Sequence, residues 1–343
     1  MNSNKLIFWF GELGKEHNNL VGKKCANLGV LTQLGLPVPP GFAISVDVYK
    51  RFVQETGALE EISRYVTSLG ELKGQGITLL EKVSQTIQGI IKGKDMPPGI
   101  KGSISAYYSE LCQKAGTPDV AVSVRSAGAE SRPGMFETYL NVKGTGEVLD
   151  KVKRVWASAY TPRAIAFRAN MGFPVIGDEL GVAIPKMVNA RSSGVCFTVN
   201  PVTGDDSRSI LEANWGLGEG VVSGSESVDG FVVDKGTLEI VTRHIGCKIK
   251  CFVNLEQGAE WVDVPEKMQM MPSLSDKEVQ EIVKIGKSVE EKLGCAQDME
   301  WAIDRDLPFP DNIFWLQTRP AKVQPRKSLS TTARIVDLIA RRV

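Results

Sequence analysis

The stretch from Val120 to Thr138 constrains this chain most. Val120 to Val124 is an apolar run of the kind that forms a buried strand. Arg125 follows it, then the small residues Ser126, Ala127, Gly128 and Ala129, then a Pro133-Gly134 turn leading to Met135 and Thr138. An arginine therefore stands where a buried strand runs out. Small residues let a backbone approach a ligand closely, and its N–H groups can then bind phosphate oxygens. Arginine adds a fixed charge with a planar fork of donors. The stretch fits a phosphate-handling loop, and it fits equally an ordinary strand–turn connection with a surface arginine. Taken alone it decides neither.

Composition narrows the classes. A chain of 343 residues can bury a large core and suggests about two domains. Lysine and arginine total 41 against 40 acids, for a net charge of +1. That balance provides no whole-chain attraction for nucleic acid or an anionic membrane, so neither is an expected partner. The six cysteines are scattered, with no CxxC pair, as expected of reduced thiols in a cytoplasmic protein. His244, Cys247 and Cys251 lie close in sequence, but no fourth zinc ligand is near them. The apolar run Leu6 to Phe10 is far shorter than a signal-peptide core or a membrane span.

Along the chain, Leu6 to Phe10 reads as a first strand. Leu28, Leu31 and Leu34 have helical spacing, with Gly35 as a stop. Lys23 and Lys24 open that helix, where an anion is favoured. They suit a ligand phosphate or a solvated charge pair. A helix is expected from about Val46 to Glu55, and residues 57 to 116 carry three more apolar helical stripes. Val148 to Met171 reads as helix broken at Thr161-Pro162. From Leu180 the pattern turns to strands. Gly181 to Val188 and Gly194 to Val199 read as a hairpin-like pair, and Phe231 to Ile240 as a clear hairpin with His244 beyond it. Ser275 with Glu278 forms a capping box for a helix to about Leu293. The expected division is residues 1–180, residues 181–322, and a tail or linker helix at 323–343.

Two final strands hold a second constellation. Asp298 and Glu300 are two residues apart, so on a strand they share a face. Two carboxylates so placed can hold Mg²⁺ against phosphates. Gln317 and Arg319 share a face in the same way, offering an oxygen ligand and a cation. Solvated surface polars would show the same spacing, although both strands are otherwise strongly apolar and aromatic.

Taken together, these segments resemble the N-terminal nucleotide-binding part of the pyruvate phosphate dikinase and phosphoenolpyruvate synthase family, from about residue 20 to 322. The resemblance rests on Gly22 to Leu28, Val124 to Ser126, Pro133 to Asn141, Lys186 to Val188, Gly194 to Pro201, Glu212 to Gly220, Asp298 to Trp301 and Gln317 to Pro320. It implies an α+β, divergent ATP-grasp fold whose two subdomains enclose the nucleotide. It implies ATP and Mg²⁺ as cofactors. Lys24, Arg125 and Arg319 would act on the phosphates. Gly134, Met135 and Thr138 would belong to a glycine loop over the nucleotide. Lys186, Met187 and Val188 would line the adenine, and Asp298, Glu300 and Gln317 would hold the metal.

Two departures accompany the likeness. The hinge position usually held by glutamine is Pro185, which puts one adenine contact in doubt and removes an N–H from its strand. The family's phosphorylated histidine also has no counterpart, because His17 and His244 sit in nothing like its Thr-Ser-His segment. The expectation is an ATP-binding phosphotransferase module that cleaves ATP to AMP and phosphate. It would pass the β-phosphoryl group to a histidine on another domain or subunit, and then to an acceptor such as phenol or pyruvate. A split enzyme such as phenylphosphate synthase, with its ATP-binding subunit as a separate chain, is favoured over a truncation. The competing readings are a nucleotide-sensing regulatory subunit and a carboxylate–amine ligase that releases ADP.

Overall fold

The computed structural model describes residues 5–129, 136–177, 179–224, 227–255 and 258–323. The chain forms two compact units. One holds the residues up to Val30 and Pro40–Met187, and the other holds Leu31–Pro39 and the residues from Val188 on. Helices and antiparallel strands occur in both units, so the α+β class is what the chain adopts. Gly134 and Met135 lie outside the described residues, as does the tail from 324. Among the described residues no helix is long and apolar enough to cross a membrane.

The first unit contains β1 (Ile7–Trp9), α1 (Asn18–Val21), α2 (Lys23–Gln33), β2 (Gly41–Ile44), α3 (Val46–Glu55), α4 (Ala58–Leu69) and α5 (Ile77–Gly93). It continues with α6 (Pro98–Ala115), β3 (Val122–Ala127), β4 (Thr138–Val142), α7 (Thr145–Ala157), α8 (Pro162–Met171) and β5 (Gly181–Pro185). The last turn of α2, from Leu31, belongs to the second unit. The strands form a sheet in the order β1-β2-β5-β3-β4. Its core gathers the apolar stripes of the helices, with the Trp156 ring 5.1 Å from Phe52 and 5.7 Å from Tyr49. The helix break at Thr161-Pro162 has a local cause. The Thr161 side chain caps α8 by accepting from the Ala164 N–H at 3.3 Å, and Pro162 occupies a first-turn position where its missing N–H costs nothing.

The second unit contains β6 (Ala190–Phe197), β7 (Arg208–Trp215), α9 (Glu219–Val222), β8 (Asp229–Asp234), β9 (Ile240–His244), β10 (Lys250–Leu255) and β11 (Gly258–Asp263). It ends with α10 (Glu266–Gln269), α11 (Asp276–Leu293), β12 (Gln297–Asp304) and β13 (Ile313–Pro320). Its main sheet runs β13-β12-β6-β7-β8-β9, and β10 pairs with β11 separately. The capping box at Ser275 and Glu278 is present, and α11 ends on a left-handed Gly294. Val279, Ile282, Val283 and Val289 bury one face of α11 against Cys196, Met299 and Trp301 of the sheet. Leu34, Leu36 and Val38 pack on the same core, and the Pro37 carbonyl accepts from the Trp315 N–H at 2.8 Å. That contact on β13 explains why residues 31–39 belong to this unit.

Four expectations need correction. Gly181–Pro185 does not pair with β6. It lies between β2 and β3 in the first sheet, so the boundary falls after Met187 rather than after residue 180. A continuous apolar run marks an interior strand but does not say which sheet receives it. Second, β3 starts at Val122 and runs through Ala127, which places Arg125 within the strand and not at its end. Third, His244 closes β9 and does not follow the hairpin. Fourth, β10 and β11 were not expected, because half-exposed residues on both faces leave little apolar alternation.

A buried ion pair ties the irregular part of the second unit together. Lys248 Nζ lies 2.6 Å from Asp229 Oδ1, and both side chains are fully buried. Asp229 Oδ1 also accepts from the Gly246 N–H at 3.1 Å, while Oδ2 accepts from the Ser273 N–H and hydroxyl, each at 2.7 Å. Removing one partner strands the other charge in the interior. Lys248→Met should therefore cost about 3–5 kcal/mol, read as a shift of the urea midpoint for the second unit. A midpoint equal to that of the wild type would show that the pair contributes nothing to this unit.

Candidate functional site

In the first unit, the N-terminus of α2 is fixed against the end of β3. Gly22 has a left-handed φ of +82°, and a Cβ there would overlap the Ala127 carbonyl. The Lys23 N–H donates to the Gly128 carbonyl at 3.0 Å. This packing brings Lys24 and Arg125 to one region although they are far apart in sequence. Next to Lys24 in the chain is Cys25, fully buried, whose thiol is pushed up to about 12 by burial while Lys24 and Arg125 both pull it down. Both cations are thus within electrostatic reach of one buried group.

Arg125 stands opposite Ala183 of β5 on one side and Thr138 of β4 on the other. Thr138 is exposed. The Glu137 N–H donates to the Ser158 hydroxyl at 3.2 Å, and the Tyr139 hydroxyl donates to the Glu137 carboxylate. Beyond Pro185 the bonding resumes at once on both flanks. The Lys186 N–H donates to the Pro40 carbonyl and the Met187 N–H to the Ala121 carbonyl, each at 2.8 Å. The missing proline N–H therefore does not end the segment. Lys186 is exposed and Met187 half-buried.

In the second unit, Val188 is buried with Ala190 and Ala302, and Leu217, Phe314 and Leu316 pack on them. This apolar cluster lies on the same unit as the acidic residues. Glu300 stands opposite Gln317, and Asp298 opposite Arg319. A bulge between Glu300 and Trp301 restores the alignment of Trp301 with Trp315 on the core side. Arg319 places Nε at 2.8 Å and a terminal nitrogen at 2.7 Å from the same Asp298 oxygen, Oδ2. Arg319 pulls the Asp298 pKa down, yet burial, aided by the Glu300 charge, leaves it raised overall.

The cross-strand row through Glu300 continues to Val195 on β6, Glu212 on β7, Gly230 on β8 and His244 on β9. Glu212 is a candidate that sequence reasoning missed. It lies two strands from Glu300, roughly 10 Å between backbones. It is 1% exposed, its Oε1 has no hydrogen-bond partner among the described residues, and burial pushes its carboxyl up to about 8. The available signal was a lone acid in the apolar run Ile210-Leu211-Glu212-Ala213, where an uncompensated charge is costly.

The donor set suits a hard cation. Among the described residues no cluster of three or more His, Cys, Asp or Glu side chains could hold a metal. Mg²⁺ usually takes one or two carboxylates and completes its shell with water and substrate phosphate. Glu300 with Gln317, beside Asp298, is a set of that kind, and the unpartnered Glu212 oxygen lies on the same face.

The chain matches the family described as pyruvate phosphate dikinase, AMP/ATP-binding domain, over residues 18–338, and it belongs to that family. It is 38% identical over 346 residues to a probable phosphoenolpyruvate synthase of Methanocaldococcus jannaschii, covering 99% of this chain and 28% of that protein. It is 37% identical over 362 residues to the phosphoenolpyruvate synthase of Aeropyrum pernix, covering 96% of this chain and 44% of the relative. The chain thus spans less than half the length of these relatives. Among solved structures, the macrocyclase MdnC bound with precursor peptide MdnA from Microcystis aeruginosa matches with a TM-score of 0.26 and 8% identity. The match covers 70% of this chain and 52% of that one, and the score is too low to carry an argument.

The buried Glu212 carboxyl should make stability depend on pH. Its folded pKa of about 8 lies above the ordinary 4.5. The stabilisation from holding the proton is complete below the ordinary value and is lost as pH rises through the folded one. Across that window the wild type should lose stability relative to Glu212→Gln, in urea unfolding measured at several pH values. Parallel stability curves for the two proteins would show that Glu212 carries no such proton.

Proposed function

We propose that the chain is the ATP-binding module of a dikinase-type phosphotransferase, with an ATP-grasp fold. The observation that carries this reading is the pairing of Asp298 and Glu300 with Arg319 and Gln317, within a chain that belongs to the dikinase AMP/ATP-binding family. Lys24, Arg125 and Arg319 neutralise and orient the phosphates. Gly134, Met135 and Thr138 also bind the phosphates, and Lys186, Met187 and Val188 contact the adenine. Asp298, Glu300 and Gln317, joined by Glu212, hold Mg²⁺, which would neutralise phosphate charge when bound. Phosphoryl transfer asks mainly for such positioning and charge neutralisation, so a nucleophile within this module is not required.

ATP is then cleaved to AMP, the γ-phosphoryl group going to water as inorganic phosphate and the β-phosphoryl group to a histidine outside these residues. That histidine lies either further along the same polypeptide or on a separate subunit. The names of the relatives support pyruvate as the final acceptor, and phenol is the acceptor in the split-enzyme alternative. His17 and His244 are poor candidates for the phosphorylated residue. The His17 Nδ1 accepts from the Gly14 N–H at 3.0 Å, and His244 sits exposed at the sheet edge.

Calorimetric titration tests the site. Arg125→Ala and Arg319→Ala should each weaken ATP binding by about 1.5–3 kcal/mol, the range for a hydrogen bond to a charged group. Wild-type affinity in both variants would remove the phosphate assignment. Labelling tests the missing nucleophile. With ATP labelled at the β-phosphate, this chain alone should acquire no phosphohistidine, and adding the histidine-bearing domain should give labelled partner and AMP. Acid-labile, base-stable label on the isolated chain, lost in His244→Ala or His17→Ala, would show that it carries its own acceptor.

A further inference from the structure

Behind the acidic row, on the core side of β12 and β13, lies a buried polar cluster that binds no ligand in the reading above. The Thr318 hydroxyl donates to Gln297 Oε1 at 2.8 Å, and the two side chains are 2% and 1% exposed. Gln297 Nε2 donates to the Cys295 carbonyl at 2.7 Å. The Gln297 N–H donates to the Thr198 hydroxyl at 2.8 Å, and the Thr198 N–H returns a bond to the Gln297 carbonyl at 2.9 Å. Lys235 Nζ donates to the Thr198 carbonyl at 2.8 Å and pairs with Glu290 at 2.6 Å. Gln297 thus ties three places together: its backbone holds the segment after β6, and its side-chain amide holds the turn before β12 and the last residues of β13.

The positions of these residues matter more than their number. Gln297 precedes Asp298, and Thr318 lies between Gln317 and Arg319. Strand alternation therefore sends each tether inward while its neighbours face the opposite side. β13 ends the sheet order, with β12 as its one neighbour there, and the pairing is already interrupted by the bulge at Glu300. Past that bulge, the Thr318–Gln297 bond is a second attachment that fixes how β13 lies on β12. The Arg319 side chain is 43% exposed and that of Asp298 11%, so a long, solvent-facing arginine is aimed by a carboxylate held rigidly from behind.

We propose that Gln297 and Thr318 are positioning residues that hold Asp298, and through it Arg319, in the alignment at which Arg319 meets the outer phosphates of the nucleotide. This rests on the nucleotide reading above. They touch no substrate, and they act through the backbone of the residues beside them. A site loose by an ångström loses much of its binding advantage, which is why such support from behind is effective.

The test uses the full chain and calorimetric binding of two ligands, Mg·ATP and AMP, with thermal unfolding alongside. AMP lacks the outer phosphates that Arg319 would contact, so a positioning defect separates the two ligands. Thr318→Val should weaken Mg·ATP binding about five- to tenfold and leave AMP binding unchanged. Thr318→Ser, which keeps the hydroxyl, should restore Mg·ATP affinity. If Thr318→Val does not fold, the double variant Gln297→Met with Thr318→Val carries the same expectation, because it leaves neither partner unpaired. Weakened ATP binding in Arg319→Ala together with wild-type ATP and AMP affinities in the Thr318 variant overturns the positioning role and leaves the nucleotide reading standing. So does an equal loss for both ligands. Arg319→Ala that binds ATP as the wild type does overturns the positioning role, and the nucleotide reading falls with it only if Arg125→Ala also binds as the wild type does.

Discussion

Where β12 pairs with β13, Glu300 stands opposite Gln317 and Asp298 opposite Arg319. The side-chain period of a strand is two, so a slip of one residue would turn one strand's pair away from the other's. The rest of the second unit keeps that register. Trp301 and Trp315 are fully buried on the reverse face, where α11 packs, and a slipped register would expose them. The hydrophobic side of the sheet thus fixes the chemical side. Burial of a large aromatic side chain is worth roughly 1.5–3 kcal/mol, enough to make an alternative pairing unfavourable.

The first unit solves a different problem. Its two cations come from distant segments, and a tight backbone contact joins them. Gly22 can approach the Ala127 carbonyl because it has no Cβ, and Lys24 enters α2 two residues later. Arg125 lies two residues before that carbonyl, inside an interior strand bonded on both sides. Positive charge is thus held at a helix N-terminus, where the peptide dipoles already favour an anion.

Much of this arrangement was legible in the sequence, and the exceptions are physical. The alternation Asp298, Glu300 against Met299, Trp301 announced a strand with one chemical face, and the capping box at Ser275 announced α11. Short-range rules governed both. The destination of Gly181–Pro185 was not legible, because partner choice depends on segments far away in the chain. Glu212 was missed for a related reason. Its place in the row with Glu300 arises only when β6 inserts between β7 and β12. The hairpin of β10 and β11 left no clear pattern, since apolar residues fall on both its faces: Cys251, Val253 and Val262 pack with Trp215, while Phe252 meets a partly exposed Trp261.

The order of strands in the second sheet also bears on how the chain reaches its folded state. β6, β7, β8 and β9 are consecutive neighbours, so they can pair through short loops soon after they meet. β12 must join β6 across a long separation, with Thr198 bonded to Gln297 99 positions away. The entropy of closing so long a loop makes that docking a late event. During synthesis the meander leaves the ribosome well before Asp298, Glu300 and Arg319 exist. Until they arrive, β6 presents an open edge of unpaired backbone groups, the kind of surface on which nascent chains associate wrongly. The strand that brings the acidic residues is therefore also the one that closes this edge.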